Sequence, residues 1–176
     1  MSQQEMVLFA IGPDRPGLVK EISSLIHESG GNLEDSRMAV LAGDFALIVL
    51  FAGAAEAIRK VREGCQALER KLGFSIELRE PTRRKVEASY LPYRLRATGA
   101  DQPGIVHRLS EVLAAFNVNV ISLESRLTQA AFHGTALFTL SAEIHVSNRE
   151  IVEELHDQLE KTSRELHLIC DLEPIE

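Results

Sequence analysis

Apolar and polar positions along the chain change period repeatedly, and each change marks a predicted element. Residues 6–11 form a nearly continuous apolar run, which predicts a short strand buried on both sides. Gly12-Pro13-Asp14-Arg15-Pro16-Gly17 breaks that run. Pro16 suits the first turn of a following helix and keeps Arg15 out of the helical region. Leu18, Val19, Ile22, Leu25 and Ile26 recur at helical spacing as one apolar stripe. Gly30 closes this helix in the left-handed conformation. After Asn32 the period becomes that of a strand. Residues 33–41 and 45–51 flank Ala42-Gly43-Asp44, which predicts a hairpin. A second helix presents Ile58, Val61, Cys65, Leu68 and Leu72 on one face. Phe74, Ile76 and Leu78 then alternate with Ser75, Glu77 and Arg79 in a closing strand.

The same order returns in the second half. Asp14-Arg15-Pro16-Gly17-Leu18 reappears as Asp101-Gln102-Pro103-Gly104-Ile105, at an offset of 87 residues. That offset also carries Ile22 onto Leu109, Leu25 onto Val112, Ile26 onto Leu113, Gly30 onto Asn117 and Asn32 onto Asn119. The chain is therefore a duplication. Its predicted parts are a first domain over residues 1–80, a linker over 81–89 and a second domain over 90–176. Ser147-Asn148-Arg149-Glu150 reads as a capping box for the last helix. Matching Ile58 to Ile151 shifts the offset to 93, so the second hairpin is longer, with residues 129–134 as its loop.

A β-α-β-β-α-β unit is the split βαβ, ferredoxin-like arrangement, so the fold class is α+β with two such domains in tandem. Both helices cover one face of an antiparallel sheet and leave the other open. Ile121, Leu123 and Leu127 are predicted on one side of their strand, with Ser122, Glu124, Arg126 and Thr128 on the other. Asp35-Ser36-Arg37 and Glu124-Ser125-Arg126 place an acid and an arginine two residues apart, on the open face.

Charge narrows the function classes. With a formal net charge of −7, the chain lacks the basic face with which a protein neutralises nucleic-acid phosphates. Its one basic cluster, Arg79, Arg83, Arg84 and Lys85 around Pro81, falls where a solvated linker is expected. No apolar run is long enough to span a bilayer. The first residues lack the basic start and apolar core of a secretory signal, and the two cysteines, Cys65 and Cys170, are isolated. A cytoplasmic protein without a cofactor, metal or membrane association is the expectation. The six histidines show no ligand spacing, and no nucleophile elbow, Walker loop or dinucleotide fingerprint is present.

With Asp-x-Pro-Gly opening the first helix and Asn just before the second strand, each repeat resembles an ACT domain, a small regulatory module that binds amino acids. Two such repeats filling the chain, with Gly-Pro-Asp-Arg-Pro-Gly-Leu-Val and Asn-Leu-Glu-Asp-Ser-Arg-Met in the first, resemble the glycine cleavage system transcriptional repressor family. The resemblance implies a repressor that responds to glycine and acts through a DNA-binding activator rather than on DNA. It further implies ligand-binding residues around each helix start, Asp14, Arg15, Gly17 and Leu18 with Asp101, Gln102, Gly104 and Ile105. Around each second strand it implies Asn32 and Leu33 with Asn119 and Val120.

The chemistry of a zwitterion fits these residue types. A helix start offers unpaired N–H groups and a positive dipole end to a carboxylate. Gly17 and Gly104 allow close approach to that backbone. Asn32 and Asn119 carry donor and acceptor on one amide, and Asp14 or Asp101 accepts from the ammonium. Each residue also has a structural reading: Asp14 as a cap, Gly17 as a packing glycine, Asn32 as a turn residue. His107 is expected to be an exposed side chain and Cys65 a buried core thiol. Three functions follow as expectations: a homo-oligomeric sensor that represses through an activator protein; a regulatory subunit of a metabolic enzyme; and, on fold alone, a small enzyme. The Gly-richer first repeat is expected to hold the ligand and the second to serve the partner.

Overall fold

The computed structural model describes residues 3–82, 90–129 and 136–175. It divides into two compact units, Met1–Arg84 and Lys85–Glu176. The first contains β1 (Gln4–Pro13), α1 (Leu18–Glu28), β2 (Asn32–Leu41), β3 (Asp44–Gly53), α2 (Ala55–Leu72) and β4 (Ser75–Arg79). The second contains β5 (Leu91–Ala100), α3 (Ile105–Ala115), β6 (Asn119–Gln129), β7 (Ala136–Val146), α4 (Glu150–Glu165) and β8 (Leu168–Pro174). Each unit is a four-stranded antiparallel sheet, ordered β2-β3-β1-β4 and β6-β7-β5-β8. Most of the predicted linker, including Arg83, Arg84 and Lys85, and most of the predicted loop 129–134 lie outside the described residues.

One local feature recurs at both first helices. α1 begins at Leu18, after Gly17 at φ 95° and ψ −3°, and α3 begins at Ile105, after Gly104 at φ 92° and ψ 2°. These angles suit the third position of a type II turn, where a side chain is strained. Pro16 therefore occupies the turn rather than the first turn of the helix. Both helices end in a Schellman motif. Gly30 N–H donates to His27 O and Gly31 N–H to Ile26 O; Asn117 N–H donates to Ala114 O and Val118 N–H to Leu113 O. Gly30 and Asn117 both have positive φ, as their shared position requires. α4 is capped by Asn148 Oδ1, which accepts from the N–H groups of Glu150 (2.7 Å) and Ile151 (3.2 Å), so Ser147 is not the cap.

The helices bury one face of each sheet. Met6, Leu8, Ala10, Phe45, Leu47, Val49 and Phe51 meet Leu18, Ile22, Ile26, Val61, Cys65 and Leu68 in the first core. Leu95, Ala97, Leu140, Ala142 and Ile144 meet Ile105, Leu109, Leu113, Leu155 and Leu159 in the second. Val19 lies off the α1 stripe and is exposed. In the second helices the buried positions Val61 and Cys65 correspond to Leu155 and Leu159, an offset of 94 rather than 93.

β1 is covered on one side only. Val7 and Phe9 are half-buried and Ile11 is 58% exposed, so its continuous apolar run does not report burial on both sides. β2 and β6 are edge strands, exposed along their whole length. Each carries a bulge, at Glu34 between Leu33 and Asp35 and at Ile121 between Val120 and Ser122. Ile121 thus drops out of the alternation that continues through Leu123 and Leu127. Asp35 and Arg37 stand opposite Leu50 and Ile48, and Glu124 and Arg126 opposite Ser141 and Thr139, on the open faces as expected.

Candidate functional site

The helix starts present the strongest unmet chemistry. The first helical bond of α1 runs from Glu21 N–H to Gly17 O, and that of α3 from Arg108 N–H to Gly104 O. The N–H groups of the first three residues of each helix therefore lack a helical acceptor, and neither N-cap supplies a side-chain bond. A Cβ on Gly17 or Gly104 would meet nothing within 4 Å. These glycines consequently serve their positive φ, not packing, and leave the backbone open to an approaching group. Asp14 does not cap the helix with its side chain. Its N–H instead donates to Gly43 O (2.8 Å), hanging the loop from the two-residue turn Ala42-Gly43, and Asp101 N–H donates to Ala136 O (3.1 Å) in the second unit.

The two helix starts differ in their free groups. Among the described residues Arg15 makes no hydrogen bond or ion pair, and it lies close enough to Glu21 to help lower that carboxyl's pKa. The hydrogen bond from Lys71 is the largest cause of the lowering, against an upward push from burial that exceeds the effect of Arg15. Arg15 and Lys20 thus outweigh Asp14 at the α1 start, because Lys71 neutralises Glu21 (2.8 Å). In the second unit Gln102 is already committed: its Nε2 donates to Leu166 O, tying the loop to the end of α4. His107 is exposed and faces Glu111 at 3.4 Å.

The structure separates the two halves of the residue set inferred from sequence. Asp14, Arg15, Gly17 and Leu18 sit beyond Pro13, which pairs with Asp44. Asn32 pairs with Ala52, eight residues further along β3. At about 3.4 Å per residue the helix start and Asn32 are roughly 27 Å apart, far beyond the reach of one small amino acid. Asn119, paired with His145, stands equally far from Ala100, paired with Leu137. The topology explains this: a strand followed by a helix crosses the unit and returns, so the loops before and after that helix occupy opposite ends.

None of the principal cavities touches a helix start. One of about 320 Å³ lies on the first open face, lined by Val7, Ile48, Leu50, Asp35, Ser36, Arg37, Pro81 and Thr82. Another of about 250 Å³ lies on the second open face between Arg96, Thr98, Glu124, Arg126, Thr139 and Ser141. A third of about 450 Å³ lies beside the start of β1, between Gln4, Glu5, Met6, Glu80 and Pro81. Sequence reasoning found the acid–arginine pair of the first of these but not its apolar floor. Among the described residues, no group of three or more His, Cys, Asp or Glu is placed to hold a metal ion. No helix among them is long and apolar enough to cross a membrane.

Comparison with known proteins gives this geometry a family. ACT domain models match residues 4–79 and 93–160. The glycine cleavage system transcriptional repressor of Escherichia coli (strain K12) is 30% identical over 145 residues, which cover 82% of this chain and 73% of that one. The chain belongs to this repressor family. A protein of unknown function from Galdieria sulphuraria superposes with a TM-score of 0.87 at 31% identity, over 99% of this chain and 100% of that one. A second solved structure, provisionally assigned to the same repressor family, has a TM-score of 0.71 over 100% of this chain and 99% of that one; at 19% identity it shows the shared fold. This tandem ACT protein is therefore a regulatory protein by family.

Proposed function

We propose that this repressor-family protein is an amino-acid-responsive regulator, with glycine as its ligand, that represses glycine cleavage genes by binding a DNA-binding activator. The observation that carries the ligand reading is the α1 start, where three N–H groups without helical acceptors follow a glycine at positive φ, with Arg15 in the same loop and near enough to Glu21 to lower its pKa. That set suits a carboxylate. Asp14 supplies an acceptor for the ammonium. The second unit's start, with Gln102 engaged by Leu166, is left to the partner or to structure. Asn32, Leu33, Asn119 and Val120 join the ligand only where a different ACT unit brings them to a helix start. The net charge of −7 supports action through a protein rather than on phosphates. The cytoplasm is the compartment where such a partner operates.

Titration calorimetry with the common amino acids tests the ligand. Glycine or a close relative is expected to bind, and Arg15→Ala is expected to weaken binding by about tenfold, the share of one charge-assisted hydrogen bond. Binding that is indifferent to Arg15→Ala but lost in Gln102→Ala would reassign the site to the second unit. Affinity capture that returns a metabolic enzyme instead of an activator would favour a regulatory subunit.

A further inference from the structure

The cavity on the open face of the first sheet is built to hold a flat ring. We infer that it binds a neutral heterocycle carrying a cyclic imide, the class of uracil and thymine, as free base or nucleoside. Strand register supplies the floor: Val7 on β1 pairs with Leu50 on β3, and Ile48 stands in the next row. These three side chains make one apolar surface, and Ile48, 46% exposed, leaves it reachable. Asp35 and Arg37 on β2, opposite Leu50 and Ile48, form the wall. Pro81 and Thr82 follow β4, at the far edge of the sheet from β2, yet they line the same cavity as Asp35 and Arg37. The chain leaving β4 therefore turns over the open face and partly covers it. The enclosed space, about 320 Å³, is at the small end of ligand sites and suits a planar body against the sheet.

The wall is half used. Arg37 Nη1 donates to Asp35 Oδ1 (2.5 Å) and to Ser36 O (2.9 Å), and Ser36 N–H donates to the same Oδ1 (2.7 Å). Among the described residues, Asp35 Oδ2 and Arg37 Nε and Nη2 have no partner. One free acceptor thus stands beside free donors, and the Thr82 hydroxyl adds a further donor to the lining. A cyclic imide presents the complement, an N–H between two carbonyl oxygens. Its N–H donates to Asp35 Oδ2, one carbonyl accepts from Arg37, and the other accepts from Thr82.

Charge decides for a neutral ligand. Asp35 and Arg37 already neutralise each other, so a lone carboxylate meets the acid and a lone ammonium meets the guanidinium. A zwitterion can satisfy both only by taking the pair apart. A neutral imide needs no such exchange, because it adds hydrogen bonds at the edges the pair leaves free.

The second unit offers no equivalent. Its floor positions hold Arg94, Ser141 and Glu143 in place of Val7, Ile48 and Leu50. An acid and an arginine recur there as Glu124 and Arg126, 3.9 Å apart, but the cavity beside them is floored by Thr98, Thr139 and Ser141. A ring in that cavity finds polar partners and no apolar surface to lie on. The site belongs to the first unit alone.

Amide NMR shifts of the full chain, titrated with thymine and thymidine to about 10 mM, test this, since a ligand of so few atoms binds weakly. Shifts are expected to concentrate at Val7, Asp35, Arg37, Ile48 and Leu50. Thymine alone would make the ligand a free base, and thymidine at equal or lower concentration a nucleoside. Uracil, which lacks one methyl group, is expected to bind about fourfold more weakly than thymine. 3-Methylthymine, which has lost the imide N–H, is expected to bind at least about tenfold more weakly. Asp35→Ala and Arg37→Ala, both at exposed positions, are each expected to weaken thymine at least about tenfold with an unchanged melting temperature. Silence at the floor residues with both probes overturns the inference. So does 3-methylthymine binding as well as thymine, or binding indifferent to both substitutions. Leucine moving the same amides at lower concentration than thymine overturns it too, by making the cavity an amino-acid site. Glycine takes no part in the measurement, so its outcome is independent of the ligand proposed at the α1 start.

Discussion

In the first unit the central strands turn Val7, Phe9 and Ile11 with Ala46, Ile48 and Leu50 toward the open side; in the second, the same register positions hold Arg94, Arg96 and Thr98 with Thr139, Ser141 and Glu143. The helix-facing sides barely changed. Leu8 corresponds to Leu95, Ala10 to Ala97, Phe45 to Phe138 and Leu47 to Leu140, and all eight are buried. Interior positions must fill a fixed volume against two helices, which restricts them to apolar residues of similar size. The open face answers only to what lies beyond it, and there the repeats diverge completely. The helix-to-helix bridge shows the same freedom: Glu21 on α1 pairs with Lys71, whereas its counterpart Arg108 on α3 pairs with Glu165, with the signs exchanged.

The sharpest test of the shared scaffold uses the equivalent glycines Gly12 and Gly99. A Cβ at Gly99 would lie 2.7 Å from the His167 carbonyl oxygen, whereas at Gly12 it would meet the Phe74 ring at 2.3 Å. The Phe74 ring is buried against Phe45 and can shift only with its neighbours, and a backbone carbonyl less still. Gly99→Ala is expected to destabilise its unit by about 3 kcal/mol and Gly12→Ala by about 1 kcal/mol. Equal losses in urea unfolding would show that both neighbours are equally fixed.

The next difference is a titration. Burial pushes the Cys65 thiol up from 9.0 to about 11, and its counterpart Leu159 cannot ionise. A neutral buried thiol contributes stability below pH 9 that is lost as the pH rises toward 11. The first unit should therefore lose about 2 kcal/mol over this window. Cys65→Ala should flatten that dependence in alkaline melts, and a slope that survives the substitution would assign it elsewhere.

The two loops then separate by kind of effect. Gln102→Ala removes a bond to a backbone carbonyl and is expected to cost about 1 kcal/mol. Arg15→Ala should leave stability unchanged and register only in amino-acid binding. Thermal melts that fall equally for both would remove the distinction. Smallest is Ala42, held at φ 52° in the two-residue hairpin turn. Ala42→Asn, which places a residue suited to that region, is expected to raise stability by about 0.5 kcal/mol. A lower melting temperature would show that the larger side chain disturbs the Asp14–Gly43 bond.

Most of this fold was legible because period and punctuation agree. The left-handed helix closures followed from Gly30 and Asn117, the hairpin from Ala42-Gly43-Asp44, and the antiparallel sheet with helices on one face from the repeated element pattern. Two features were not legible, each for a physical reason. The run at residues 6–11 is apolar on both faces, and periodicity cannot distinguish a face covered by its own helices from one awaiting another surface. Asp14 and Asn32 are joined as one ligand set by the repeat and the family resemblance, neither of which shows that a single unit holds them at opposite ends. An 11-residue helix carries the chain to the other end of the sheet between them. Counting elements instead of residues separates the two. The engagement of Gln102 by Leu166 had no sequence signal, since it joins loops 64 residues apart.

The bulges at Glu34 and Ile121 carry a consequence for how this protein is kept in solution. Each interrupts a ten- or eleven-residue edge strand whose outward amides and carbonyls have no neighbouring strand among the described residues. An uninterrupted edge of that length is a template on which further chains can add without limit, the first step toward insoluble fibres. The extra residue bends the strand and breaks the regular row of pairing groups near its start. A single inserted residue in each repeat thus disturbs backbone pairing along β2 and β6, while the other edges, β4 and β8, are kept short at five and seven residues.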